Sequence, residues 1–265
     1  MYVIKVGGKV IDKNLPGVIE SVSKEAKNGP LIFIHGGGNV VTEYCKRIGI
    51  EPRFVVSPEG IRSRYTDRDE LEVYVMVMAG KINKEIVSGL VLRGVKSVGI
   101  SGADGPTLIA ERKKRIIVVD ERGRKRAIDG GFTGRIVSVD TRLIDSLLGS
   151  GYTIVMAPIA IDGEGNMLNV DADQVAFKVA SSLKADKLVI LTDVPGVMIN
   201  NEVIRTINAS EVGEIVPKVG AGMNRKLLEA SNALMSGVKE VVIASGLTED
   251  PVRDALNGKG TVLRP

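Results

Sequence analysis

The sequence predicts an α/β fold, a three-layer αβα sandwich around a central, mainly parallel sheet, with protruding β-hairpins. Three observations predict it. Short β-branched runs alternate with longer amphipathic stretches, and strands separated by helices imply right-handed crossovers that cover both faces of a parallel sheet. The 31 glycines gather where strands end, the edge at which a doubly wound sheet brings backbone to ligands. The chain has 265 residues, 44% of them hydrophobic, enough for one sizeable core and too apolar for a disordered chain.

The elements follow in order. Residues 2–6 read as a buried strand, 14–28 as a helix, 31–34 as a second strand and 39–48 as a helix. The same alternation returns with strand 153–156, helix 171–183, strand 187–191, helix 222–236 and strand 240–244. Residues 107–139 break the pattern with short strands and turns, and Gly123, Gly130 and Gly131 mark bends between projecting hairpins. No repeat, low-complexity tract or linker divides the chain, so residues 1–265 are expected to form a single domain.

Composition excludes several function classes. One cysteine, Cys45, rules out an internal disulfide framework, and one histidine, His35, rules out a Cys/His zinc site. No apolar run reaches the ~18 residues of a membrane span. The N-terminus has neither the flanks nor the length of a signal peptide, so a cytoplasmic location is expected. With no Trp, four Phe and five Tyr there is no stacking platform for single-stranded nucleic acid. A single glutamine, Gln174, among many charged residues fits a thermophile. The net charge is +4, yet residues 111–135 alone hold nine basic and four acidic side chains. The positive charge is therefore local.

Five motifs can carry chemistry. Lys5-Val6-Gly7-Gly8 closes the first strand with a lysine and two glycines that admit an anion close to backbone N–H groups; a plain turn with a snorkelling lysine fits equally well. The spacing is not that of a P-loop. His35-Gly36-Gly37-Gly38-Asn39 places three glycines at a helix N-terminus, an anion site by dipole and unpaired donors. The histidine there is read as structural rather than catalytic. In Asn169-Val170-Asp171-Ala172-Asp173-Gln174, Asp171 suits an N-cap, whereas Asp173 needs lysines or a cationic ligand to face. Thr192-Asp193-Val194-Pro195-Gly196 is either a plain turn or the rim of a base site. Gly220-Ala221-Gly222-Met223-Asn224-Arg225-Lys226 opens a helix with glycines and a lysine one turn in. Three glycine-rich turns, two lysines and one carboxylate, without a triad or metal cluster, suit phosphoryl transfer, which depends on alignment and charge neutralisation.

In this order KVGG, HGGG, EGIR, NVDADQ, LTDVPGV and GAGMNRK resemble the amino-acid kinase family over essentially the full length of the chain. Within the family the chain looks like the N-acetylglutamate kinase branch, nearest to the kinases that act on 2-aminoadipate or glutamate carried by the small acidic protein LysW. The resemblance implies that Lys5 and Lys226 flank the transferring phosphoryl group and that Asp173 holds both. It implies that Gly7 and Gly8 touch the ATP phosphates, with Gly222 at the same helix-end phosphate site and Thr192, Asp193 and Gly196 bordering the adenine. Gly37 and Gly38 would donate to the acceptor carboxylate, Arg62 would pair with the substrate α-carboxylate, and Asn169 would read the acylated α-nitrogen. Mg²⁺ would come with ATP and be held by phosphates rather than by protein ligands. The N-terminal part would bind the acceptor and the C-terminal part the nucleotide.

Aspartate stands at 171 where N-acetylglutamate kinases often have asparagine, which argues against the small acetyl substrate unless helix capping explains it. The basic stretch 111–135, with Arg124, Lys125 and Arg126 at its turn, is expected to dock the acidic carrier. A homodimer without arginine feedback is expected, since no extra helix precedes Tyr2. The rival enzyme reading is free N-acetylglutamate kinase; kinases of UMP, aspartate, glutamate or isopentenyl phosphate leave Arg62 and Asn169 without partners. A nucleotide or amino-acid sensor does not need both lysines and Asp173, and a nucleic-acid binder lacks interleaved aromatics.

Overall fold

The computed structural model describes residues 1–265, the side chain of Ala221 excepted. The first half runs β1 (Tyr2–Val6), α1 (Gly8–Glu25), β2 (Leu31–His35), α2 (Gly38–Arg47), β3 (Arg53–Val56), β4 (Arg62–Tyr65), α3 (Arg68–Val75), a π-helical stretch Met76–Ile82, α4 (Asn83–Leu92) and β5 (Ser97–Ser101). Then come β6 (Leu108–Arg112), β7 (Arg115–Val119), β8 (Lys125–Asp129), β9 (Gly134–Val139), α5 (Arg142–Gly149), β10 (Thr153–Ala157), β11 (Ile159–Ile161), β12 (Met167–Asn169) and α6 (Ala172–Ser182). The chain ends with β13 (Lys187–Thr192), β14 (Met198–Ile199), β15 (Glu202–Val203), β16 (Thr206–Asn208), α7 (Val212–Ile215), α8 (Ala221–Met235), β17 (Glu240–Ser245), α9 (Pro251–Leu256) and β18 (Thr261–Arg264).

Eight strands form the central sheet in the order β16-β18-β17-β13-β1-β2-β10-β5. Every pair is parallel except β17 with β18. Side-chain alternation divides the core in two. Val3, Ile32, Ile154 and Leu188 face the layer of α6 and α8, where Val175, Val179 and Leu227 are buried. Ile4, Phe33, Val155 and Val189 face α1, α4 and α9, against Val18, Ile86 and Val252. Each such side chain contributes about 1.5–3 kcal/mol of burial, so both faces require a helical cover. β1 lies between β13 and β2, with Lys5 level with Ile190 and Ile34. The lysine is thus near the carboxyl end of the most central strand.

The predicted hairpins are nested. β6 pairs with β9, β7 with β8 inside them, and Gly123 and Gly131 turn with φ of 75° and 59°. The first helix differs from expectation: it starts at Gly8, well before residue 14, and is interrupted at Asn14 (φ −146°, ψ 30°). Asn14 and Pro16 resemble a helix start because a capping side chain precedes a proline. Here Asn14 instead donates to the carbonyls of Gly246 (2.9 Å) and Thr248 (3.0 Å), and helix continues on both sides. The Lys5-Val6-Gly7-Gly8 turn is consequently a helix N-terminus in its own right. No helix among the described residues is long and apolar enough to cross a membrane.

Candidate active site

Lys5 shares the face of β1 occupied by Val3, so its side chain runs toward α6. Asp171 caps α6 by accepting from the N–H groups of Asp173 (2.8 Å) and Gln174 (3.3 Å), which sets Asp173 in the first turn above the strand. α8 brings Lys226 from the other side. Asp173 then bridges the two lysines, Oδ1 at 2.7 Å from Lys5 Nζ and Oδ2 at 2.5 Å from Lys226 Nζ. The Lys5 contact lies off the hydrogen-bonding direction, so Oδ1 is a buried acceptor with an ionic neighbour and no well-aligned donor.

Burial alone would raise the Asp173 pKa. Lys5 and then Lys226 outweigh that effect and hold the carboxyl below the usual carboxylate range. It therefore stays ionised and is not a proton acceptor near neutral pH. One carboxylate facing two ammonium groups leaves a net positive charge, and each ammonium has three donors. Such a cluster, largely withdrawn from water, is completed by an anion.

Beside it two glycine turns abut. A Cβ on Gly36 would lie 2.8 Å from the Gly8 nitrogen, and one on Gly8 would lie 3.2 Å from that of Gly37. Gly37 has φ 151°, and a Cβ there would overlap Ile82; only glycine fits. The Gly7 N–H donates to the Leu191 carbonyl (3.0 Å) and the Gly36 N–H to that of Val6 (2.8 Å), extending the sheet. Gly8, Gly37 and Gly38 donate to no acceptor among the described residues. Gly8 and Gly38 are also the first residues of α1 and α2, so two positive helix ends meet where those donors point.

A cavity of about 590 Å³ opens from this junction. Gly37, Gly38, Arg62 and Asn169 all line it, with Tyr74 and Met78 among its apolar walls. Arg62 and Arg64 project from one face of β4 over the Phe54 ring of β3, at 3.7 and 4.9 Å from its centroid. Their roles diverge. Arg64 pairs with buried Glu70 and donates to the Gly38 carbonyl (2.8 Å) and to Thr42 Oγ1 (2.5 Å). Arg62 has no carboxylate partner among the described residues, so its fork remains free for an anion. Asn169 donates to Thr66 Oγ1 (2.8 Å).

The remaining sequence-derived candidates fall in two other places. At the end of β13, Thr192 Oγ1 donates to Asp193 (3.2 Å), and Lys9 Nζ reaches the same carboxylate (2.8 Å). A Cβ on Gly196 would press on Thr261 Oγ1 at 2.7 Å, while Gly222 in the first turn of α8 has open space above it. At the β7–β8 turn, Arg124 (3.1 Å) and Arg126 (3.0 Å) both pair with Asp120, which leaves Lys125 as the member without a carboxylate partner among the described residues. His35 is fully buried, against the Gly36 carbonyl (3.0 Å) through Nδ1 and Asn83 Nδ2 (3.5 Å) through Nε2. Burial lowers its pKa to about 4, so the ring is neutral.

Sequence reasoning missed Arg64, Lys9 and the π-helical stretch that seats Met78 and Ile82 against Gly37. A usable signal for Arg64 was present. Two arginines two residues apart on a strand share a face, and a glutamate in the following helix is a candidate partner for either; in the structure Glu70 pairs with Arg64.

Residues 1–245 match the Amino acid kinase family. A [LysW]-aminoadipate/[LysW]-glutamate kinase of Metallosphaera sedula is 52% identical over 98% of this chain and 99% of its own length. The kinase of the same name from Sulfolobus acidocaldarius is 50% identical over 99% of this chain and 100% of its own. Among solved structures, N-acetylglutamate synthase of Neisseria gonorrhoeae superposes with a TM-score of 0.82 at 24% identity, covering 100% of this chain and 59% of that one. Carbamate kinase of Giardia lamblia gives 0.69 at 18%, covering 99% and 98%. At these identities the solved structures speak for the fold alone.

Proposed function

Since the chain belongs to the amino acid kinase family, we propose that it transfers the γ-phosphoryl group of ATP to the side-chain carboxylate of 2-aminoadipate or glutamate carried on LysW. The product is an acyl phosphate, formed in lysine and arginine biosynthesis. The observation that carries this reading is the Asp173 bridge between Lys5 and Lys226, at 2.7 and 2.5 Å, beside two abutting glycine turns. The half-to-half identity with kinases of carrier-borne substrates supports the choice of acceptor.

The residues divide the work by position. Lys5 and Lys226 meet the phosphoryl oxygens from two sides, and their spare donors strengthen as negative charge moves onto the leaving oxygen. Asp173 keeps both lysines aimed and cancels part of their mutual repulsion. Gly8 supplies a free N–H to the phosphates, while Gly7 contributes proximity only, its own N–H being engaged. Gly222 opens α8 toward the same phosphates, and Thr192, Asp193 and Gly196 border the nucleoside. Gly37 and Gly38 hold the attacking carboxylate, Arg62 the α-carboxylate and Asn169 the acylated nitrogen.

The attacking group is already an anion near neutral pH, so no general base is needed. That accords with a neutral His35 and an ionised Asp173. The Asp173 carboxylate is occupied by two ammonium groups, and no cluster of His, Cys, Asp or Glu among the described residues is placed to hold a metal. Mg²⁺ arriving with ATP would be held by phosphate oxygens and would supply further charge neutralisation there. The acceptor lies with the N-terminal part of the chain and the nucleotide with the C-terminal part. A homodimer in the cytoplasm completes the proposal.

The test is hydroxylamine trapping. With Mg-ATP and LysW-borne 2-aminoadipate or glutamate, hydroxamate should accumulate. Hydroxamate from N-acetylglutamate alone would give the reaction to a free acetylated acceptor instead. The structure favours neither on Asp171, because that residue caps α6 and lies 3.6 Å from Arg225.

A further inference from the structure

The acceptor cavity contains a cationic pair that the proposed mechanism does not use. Lys113, between β6 and β7, and Arg225, at the start of the second turn of α8, both line it. Lys113 makes no ion pair among the described residues, and Arg225 has only the 3.6 Å contact with Asp171. The Lys113 backbone is fixed: its N–H donates to the Thr133 carbonyl (2.9 Å), and the chain returns so closely at Gly130 that any Cβ would overlap the Lys113 carbonyl. Thr133 is in turn bridged to Asn169. The lysine therefore stands on the wall next to the residue proposed to read the acylated nitrogen, across from the helix that carries Lys226.

Arg62 already accounts for one carboxylate of the acceptor, and Gly37 with Gly38 for the other. An acceptor bearing only a small acyl cap has no third anion to offer this pair. An acceptor joined through its nitrogen to an acidic peptide does when the acylating residue is itself dicarboxylic, because one carboxyl forms the amide and the other stays free. We propose that Lys113 and Arg225 form a second anion subsite, which takes a carboxylate of the peptidic tether as it leaves the acceptor cavity toward the β7–β8 hairpin. The inference rests on the carrier-borne reading of the substrate. It adds where the tether runs and which residues hold it.

The experiment measures binding, so that it does not depend on turnover. Titration calorimetry compares N-acetyl-2-aminoadipate with glutamyl-2-aminoadipate, linked through either glutamyl carboxyl so that the other remains free. The wild-type protein should bind at least one dipeptide about tenfold more tightly than the acetyl compound, as one charge-assisted contact warrants. Lys113→Met and Arg225→Met should each reduce that ratio toward unity, and Lys113→Arg should restore it. A ratio near unity in the wild-type protein, or one that survives both methionine variants, overturns the proposal. A ratio that depends on Lys113, together with no hydroxamate from any carrier-linked acceptor, would support the subsite and remove the phosphoryl-transfer reading.

Discussion

The two ends of the site are held by different physics. At the phosphoryl end, Lys5, Asp173 and Lys226 come from elements far apart in the chain, which core packing brings together and an ion-pair bridge joins, with side chains 9%, 16% and 20% exposed. At the acceptor end the pieces are close in sequence. Arg62, Arg64, Thr66 and Glu70 lie in one hairpin and the segment that follows it; Arg64 alone ties them to the glycine turn, through the Gly38 carbonyl, while Thr66 accepts from Asn169 and Arg62 stacks on Phe54. In the first arrangement, removing Asp173 would leave two like charges facing each other in low dielectric, whereas removing either lysine leaves a neutral pair and takes away the excess positive charge that an anion completes. The second keeps one cation free and spends its neighbour on structure. Fixed chemistry and adjustable recognition are thereby assigned to different kinds of contact.

Four measurements would break or sharpen that contrast. The largest effect is expected at the charged cluster: Lys5→Ala or Lys226→Ala should lower kcat by about 10²–10³ with a much smaller change in acceptor KM, since the lost interaction belongs to the transition state. A large KM change with turnover intact would place both lysines in ground-state binding. Next comes the imidazole beneath the acceptor turn. His35 has a folded pKa of about 4 against an ordinary 6.5, so between those values the unfolded chain binds more protons. Stability present at neutral pH is then lost as pH falls through that window, by about 3 kcal/mol in all. Urea titrations at several pH values should show this slope in the wild-type protein and a flatter one in His35→Gln.

The arginine pair comes third and separates the two uses of a guanidinium. Arg62→Met should raise acceptor KM about tenfold or more at nearly constant kcat. Arg64→Met should lower kcat as well and destabilise the fold by about 3 kcal/mol, because Glu70 is left buried without its cation. Identical kinetic signatures for the two variants would erase the distinction. The smallest change is expected on the surface. Reversing Arg124, Lys125 and Arg126 to glutamate should raise the apparent KM for carrier-linked acceptor several-fold, and added salt should do likewise in the wild-type protein. Unchanged kinetics would take the hairpin turn out of carrier docking, and Lys125 is the residue to test singly, since Asp120 already occupies its two neighbours.

Much of this architecture was legible because it obeys local rules. The buried strands 2–6, 31–34, 153–156 and 187–191 are largely apolar on both faces, with Lys5 the conspicuous exception inside one of them, and all four are found within a residue of those bounds. The hairpins announced themselves through Gly123 and Gly131. Asp173 stood out as a carboxylate with no apparent partner in an apolar stretch. What stayed hidden depends on tertiary contact. Asn14 signalled a helix start because nothing in the chain says that the carbonyls of Gly246 and Thr248 will take its side chain. The division of labour between Arg62 and Arg64 is decided by Glu70 and the Gly38 carbonyl, and identical side chains on one strand face cannot disclose which will be claimed. The π-helical stretch Met76–Ile82 sets Met78 and Ile82 against Gly37, a contact between segments distant in the chain that local sequence does not announce.

The grip of Arg64 on the Gly38 carbonyl has a consequence for redesign. Under the proposed roles, the hairpin that would select the acceptor and the loop that would present it to phosphorus are mechanically one part, riveted by a single guanidinium. A transplanted hairpin with a new specificity must therefore bring its own rivet at the same register. Otherwise it would recognise the new molecule and still hold it out of line for attack.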